Sequence, residues 1–161
     1  MEALLVWLEG SALGHLMRTA GVWTYGVVNL AHILGLATLY GSVLVLDLRL
    51  LGAWRRVPLD ALEKPALTLG ACGFAIAVAS GISLITTNAT EYVGNPFLPV
   101  KFTAIGLGLL NVIAVQFLPA WRTRAADSQD GRQRLALGVV GGTSLACWTV
   151  AVAAGRMIGY W

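Results

Sequence analysis

Four apolar runs, separated by polar or turn-rich segments, organise this chain. The clearest extends from Ala20 to Leu46, 27 residues without Asp, Glu, Lys or Arg and with one ionisable side chain, His32, near its middle. A hydrocarbon core about 30 Å thick is crossed by roughly 20 helical residues, so such a run spans it with some tilt. Applied along the chain, the same pattern places spans at about residues 20–47, 66–87, 101–121 and 135–158. The second is rich in small residues, and Gly73, Ala77 and Gly81 follow the small-xxx-small spacing that lets helix backbones approach closely. Ahead of the first span, Leu4, Leu5, Leu8, Ala12 and Leu16 recur at helical spacing over residues 2–17, while Glu2 and Glu9 fall elsewhere on the helix. That segment is short for a span and is interrupted by Glu9 and Gly10, so it predicts an amphipathic helix in the interface, with Trp7 suited to that depth. The expected fold is an all-α integral membrane protein: a four-transmembrane-helix bundle with an N-terminal interfacial amphipathic helix, forming a single membrane domain over residues 1–161.

Composition agrees and excludes several alternatives. Of 161 residues, 57% are hydrophobic and 12% charged, against about 25% charged in soluble domains. The net charge of +3 is not a nucleic-acid signal, because the basic residues sit in loops between apolar runs. The amino terminus is acidic and lacks a basic n-region, and is not read as a removed signal peptide. Cys72 and Cys147 lie within apolar runs and are read as small hydrophobes.

Loop charge orients the spans. Eight of the eleven basic residues (Arg49, Arg55, Arg56, Lys64, Arg122, Arg124, Arg132 and Arg134) follow spans one and three or precede spans two and four. Arg18, Lys101 and Arg156 lie on the other side. The positive-inside rule then places the basic loops in the cytoplasm and both termini on the periplasmic side of a bacterial inner membrane.

Within the bilayer an ionisable side chain is the first functional candidate. His32 lies ten residues inside Val22, and Asn111 ten inside Lys101, so both are expected about 15 Å from the outer surface, with Ser144 to Trp148 at a similar depth. Polar groups of three spans thus point to one layer. A neutral imidazole there can ligate haem iron, relay a proton or hydrogen-bond a neighbouring helix. For haem b, His32 would be the axial ligand, with Gly35, and further off Gly26 and Gly41, leaving room for a flat macrocycle. Asn29 or Asn111 would accept the other ring proton, and Lys101, Arg156 and Arg18 would meet the propionates. His15, the other histidine, is the candidate second axial ligand, with Met157 and Met17 as substitutes. Lys101 and Arg156 also suit plain interfacial anchoring. Asp47 and Arg49, two apart, face different sides of their helix, and Asp47 is expected to pair with a basic residue of another helix. No serine–histidine–acid set, P-loop, dinucleotide fingerprint or CxxC is present, so no catalytic residues are assigned and no catalytic activity of its own is expected.

Ala31-His32-Ile33-Leu34-Gly35-Leu36, then Gly41, then Asp47-Leu48-Arg49-Leu50-Leu51-Gly52, resemble a bacterial family of small four-span proteins of unknown function. Asn95-Pro96-Phe97 with Lys101, and Trp148 followed by Gly155-Arg156-Met157-Ile158-Gly159-Tyr160, carry the resemblance to the end of the chain. It implies an inner-membrane helical bundle and brings no established activity. In span count and a lone histidine on span one, the chain is also loosely similar to membrane b-type cytochromes and to copper-resistance proteins of the CopD kind. The leading expectation is therefore a haem b-binding, electron-transferring membrane subunit, with a membrane or periplasmic redox partner, the lipid bilayer around it and homo-oligomerisation permitted by its small-residue faces. The alternatives are a cofactor-free structural or accessory subunit and a small-solute or ion carrier.

Overall fold

The computed structural model describes residues 2–122 and 130–161; Arg124 of the second basic loop lies outside the described residues. Helices α1 (Glu2–Glu9) and α2 (Ala12–Thr19) precede four long helices, α3 (Val22–Leu50), α4 (Leu59–Thr87), α5 (Phe97–Val115) and α7 (Gly131–Ile158). A short 3-10 turn (Ala89–Tyr92) links α4 to α5, and a four-residue helix, α6 (Pro119–Arg122), follows α5. All four long helices are long and apolar enough to cross a membrane, as expected for a multi-pass protein.

The ends differ from expectation for local reasons. The amino-terminal segment is two helices, because Gly10 breaks the first and the Ser11 hydroxyl caps the second by accepting from the Gly14 N–H at 3.1 Å. Helix α4 starts at Leu59 and runs through Pro65, which falls early in the helix. The prolines of Asn95-Pro96-Phe97-Leu98-Pro99 sit at the start of α5, where a missing N–H costs nothing, so α5 begins at Phe97. The side chain of Asn95 supports that start by accepting from the Phe97 N–H at 2.9 Å. Helix α5 ends at Val115 because Pro119 disfavours helical backbone just before it. Asp130 caps α7 by accepting from the Gln133 N–H at 2.8 Å.

The long helices form a row. Helix α4 packs along α3, α3 along α7, and α7 along α5, while no extensive interface joins α4 to α5. The first contact is the tightest. A Cβ on Gly73 would lie 2.5 Å from the Leu39 amide and 2.7 Å from the Gly35 carbonyl, and one on Gly35 would lie 2.9 Å from the Ala77 amide. The small-residue stripe therefore joins α4 to α3 backbone against backbone. At α3–α7, Gly141 plays the same part against Asp47 and Leu50, and the Tyr40 and Thr149 hydroxyls bond at 3.0 Å.

Helices α1 and α2 close over the end of α4. The Arg18 guanidinium donates to the Thr86 and Thr87 carbonyls at 3.4 and 3.0 Å and to the Glu9 carbonyl at 2.9 Å, satisfying carbonyls that a helix end leaves open. The Glu9 carboxylate accepts from both the hydroxyl and the amide of Thr90 at 2.7 Å. Those Thr90 hydrogen bonds hold the Glu9 carboxyl below its ordinary value of 4.5. Their contribution is then fully present above pH 4.5 and is lost as pH falls through the lower folded value. Amide exchange at Thr90 is accordingly expected to stay protected down to about that pH and to accelerate in stronger acid, whereas Glu9→Gln should exchange at an intermediate, pH-independent level; equal acid sensitivity in the variant would refute this.

Candidate functional site

All four long helices line one cavity of about 400 Å³. Helix α3 supplies Leu39, Ser42, Leu46 and Asp47; α4 supplies Leu67, Gly70, Ala71 and Phe74; α5 supplies Leu109, Asn111 and Val112; and α7 supplies Val140, Ser144 and Trp148. Trp121 of α6, buried with Val115, Ala120 and Leu137, forms one end. Helices α4 and α5, which both line it, do not pack together extensively. Its size is within the range of about 300–1,000 Å³ typical of small-molecule sites, and its lining is mainly aliphatic with a few polar atoms.

Two of those atoms are unsatisfied. Asp47 Oδ2 and Trp148 Nε1 are both buried without a hydrogen-bond partner. Asp47 is 4% exposed and Trp148 5%. The carboxylate gets there because Gly141 lets α7 come up against the backbone of Asp47, which sets the Ser144 hydroxyl, three residues on and on the same face, to interact with it. Trp148 lies a further turn along that face. Its indole occupies space left by Gly108 on α5, where a Cβ would meet the ring at 3.2 Å, and packs edge-to-face on Phe74 of α4 with centroids 6.0 Å apart. The ring pair thus lines the cavity from α4 to α7, on the α7 face that also carries Ser144.

The expected partner of Asp47 is corrected here: no basic side chain among the described residues pairs with it, and its polar neighbour is Ser144. Arg49, two residues on, faces elsewhere as expected and donates to the Val57 carbonyl at 2.9 Å, tying down the turn after α3. Gly52 in that turn has a φ of +105°, and a Cβ there would lie 3.0 Å from the Arg55 guanidinium, so both backbone and space call for glycine. The Asp47-to-Gly52 run is therefore one acid facing the cavity followed by a loop closure.

His32 is placed differently. Its Nδ1 lies 3.0 Å from Ser80 Oγ on α4, and that hydroxyl donates its own proton to the Ile76 carbonyl at 2.5 Å. The serine oxygen is thus the acceptor, which puts the proton of the neutral ring on Nδ1 and leaves Nε2 without a hydrogen-bond partner among the described residues. The ring packs on Gly81, where a Cβ would meet Cε1 at 3.0 Å. Gly35, expected to make room for a macrocycle, instead faces the α4 backbone, which fills that space. Gly26 and Gly41 have nothing within 4 Å of a Cβ.

The expected polar layer is only partly formed. Asn111, Ser144 and Trp148 share the cavity, while His32 is outside its lining. Because α5 begins at Phe97, Asn111 lies about 20 Å along the helix, deeper than His32, and its amide donates to the Val140 carbonyl at 3.1 Å and not to the imidazole. Asn29 is exposed and His15 is exposed on α2, apart from the long-helix contacts. Met17 is buried beneath α2, and Met157 is exposed. Arg18 serves the end of α4, Lys101 lies along Gly155 of α7 with its chain 3.6 Å from a Cβ there, and the Arg156 guanidinium bonds and stacks on Tyr160. Asp47 and Trp148 are not singled out by the sequence as the centre of a site; the signal that could have found them is an acid within a span whose neighbouring spans offer no cation at its depth.

A model for a family of unknown function, DUF6644, matches residues 4–161. The chain belongs to that family. The match covers both the cavity and the His32–Ser80 contact, so the DUF6644 unit is the whole bundle with its two amino-terminal helices. No curated protein and no solved structure matches the chain.

Proposed function

We propose that this protein binds a small amphipathic molecule taken from the bilayer, acting as a small-solute carrier with the α3–α4–α5–α7 cavity as its site. The observation that carries this reading is the pair of unsatisfied buried atoms, Asp47 Oδ2 and Trp148 Nε1, in one otherwise apolar cavity. A buried polar atom without a partner costs about 1–3 kcal/mol, and a fold that keeps two such residues in one cavity wall carries a cost that a function would explain. An acid inside a span is a functional candidate on the same physical ground. The lack of an extensive α4–α5 interface supports entry from the membrane, and the positive loops support an orientation with the Asp47 end of the cavity toward the cytoplasm of a bacterial cell.

The test is to extract the protein purified in mild detergent and compare small molecules by mass spectrometry with the Ala71→Trp variant. Ala71 lines the cavity yet is exposed, so the indole should occupy the opening while the fold persists. A compound retained by the parent and lost from the variant is expected; identical extracts would sink the reading.

One observation favours a second reading, ligation of haem b by His32. The Ser80 contact leaves Nε2 as the free nitrogen, as in an axial ligand whose other nitrogen is held by a protein acceptor. The filled space at Gly35 weighs against it. Oxidised and dithionite-reduced spectra of parent and His32→Ala separate the two: a Soret band with reduced α and β peaks, lost in the variant, would move the function to His32, and a colourless parent from haem-replete cells would end that reading.

A further inference from the structure

We infer that the cavity's ligand is an organic cation, a protonated amine carried on an apolar body, with Asp47 as its counter-ion and the Phe74–Trp148 pair as the wall against which the cation rests. This rests on the cavity being a ligand site, the reading above, and specifies its chemistry.

Three features of the lining converge on that class. The first is charge: Asp47 is the acidic side chain among the lining residues, no cation of the described residues pairs with it, and Oδ2 has no hydrogen-bond partner. Ser144 meets only part of its demand, and a hydroxyl brings no positive charge to a carboxyl group in apolar surroundings. The second is the ring pair. Aromatic faces attract ammonium groups within about 6 Å of their centroids, more strongly where water is excluded, and the tryptophan ring is the best of them. Ser144, the polar neighbour of Asp47, and Trp148 are four residues apart on one face of α7, which sets the carboxylate and the indole on the same side of the cavity. The third is the remainder of the lining: Leu39, Leu46, Leu67, Val112, Val115 and Val140 suit an apolar body and offer an anion nothing.

The inference is tested with the full chain in nanodiscs of zwitterionic lipid, measuring saturable binding of phenylbutylamine and of the uncharged phenylbutanol by equilibrium dialysis, with empty nanodiscs subtracted. The amine is expected to bind saturably and about tenfold or more tighter than the alcohol, the scale set by a desolvated charge pair. Asp47→Asn should remove the amine's advantage over the alcohol, and Ala71→Trp should abolish binding of both. Equal saturable binding of amine and alcohol, blocked by Ala71→Trp and indifferent to Asp47→Asn, would overturn the cation assignment and leave the cavity reading standing. No saturable binding of either would overturn both. The amine-to-alcohol ratio is measured in the unaltered protein, so it discriminates between these outcomes even if a variant fails to fold.

Discussion

Gly73→Leu is expected to abolish the folded bundle, the largest structural effect of any single substitution proposed for this protein. The Cβ alone would sit 2.5 Å from the Leu39 amide and 2.7 Å from the Gly35 carbonyl, and both obstacles are backbone. Side chains can rotate away from an intruding atom, but two helix backbones must translate apart. Separating α3 from α4 would also unseat Gly35 from the Ala77 amide and pull Ser80 from His32. Overpacking a fitted core costs about 1–3 kcal/mol, and a leucine forced between two backbones should exceed that range. The expected result is aggregation on size exclusion in mild detergent, or a denaturant midpoint too low to measure. Gly106→Leu is the control, because a Cβ at Gly106 has nothing within 4 Å and a leucine there would face lipid. If both variants behave alike, the close contact between α3 and α4 is not what holds the bundle.

Asp47→Leu is expected to do the opposite to stability while removing function. The carboxylate is 4% exposed, has one unsatisfied oxygen, and lines an apolar cavity. Replacing a buried, incompletely paired charge by an apolar side chain of similar size is often neutral or stabilising by about 1–4 kcal/mol. Leucine fits beside Leu46 and Leu50, and the Ser144 hydroxyl can turn back to a carbonyl of its own helix. The variant should therefore unfold at higher denaturant than the parent and bind phenylbutylamine no more tightly than phenylbutanol. A site kept at the expense of stability is the usual mark of function. Marked destabilisation would instead make Asp47 a structural residue held by Ser144, and would withdraw the main support for the cavity as a ligand site.

Most of the fold is legible along the chain, and the reason is physical. Each long helix must present apolar side chains to lipid, so the requirement is written residue by residue and needs no knowledge of neighbours. Helix ends are less legible where proline intervenes. Pro96 and Pro99 read as turn formers in isolation, yet at the start of α5 they begin the helix, and Pro65 interrupts nothing because α4 continues through it. At residues 2–17 the apolar spacing persists across a break that Gly10 and the Ser11 cap produce locally. The candidate site is less legible still. His32 stands out because it is ionisable in a long uncharged run, but which nitrogen is free follows from Ser80, forty-eight residues away. Counting inward from assumed helix starts matches Asn111 with His32, and moving the start of α5 to Phe97 separates them.

From sequence alone come the four spans, the all-α class, the small-residue stripe of α4 and the separation of basic from non-basic loops, because hydropathy, charge and side-chain size belong to single residues and their spacing. Tertiary structure alone decides the order of helices in the row, the gap between α4 and α5, and the meeting of Asp47 with Ser144 and of Trp148 with Phe74 and Gly108. Those outcomes depend on which faces pack together. In a chain whose helices are apolar on every side, the outward pattern of hydrophobic residues is nearly uniform and says little about which face turns inward.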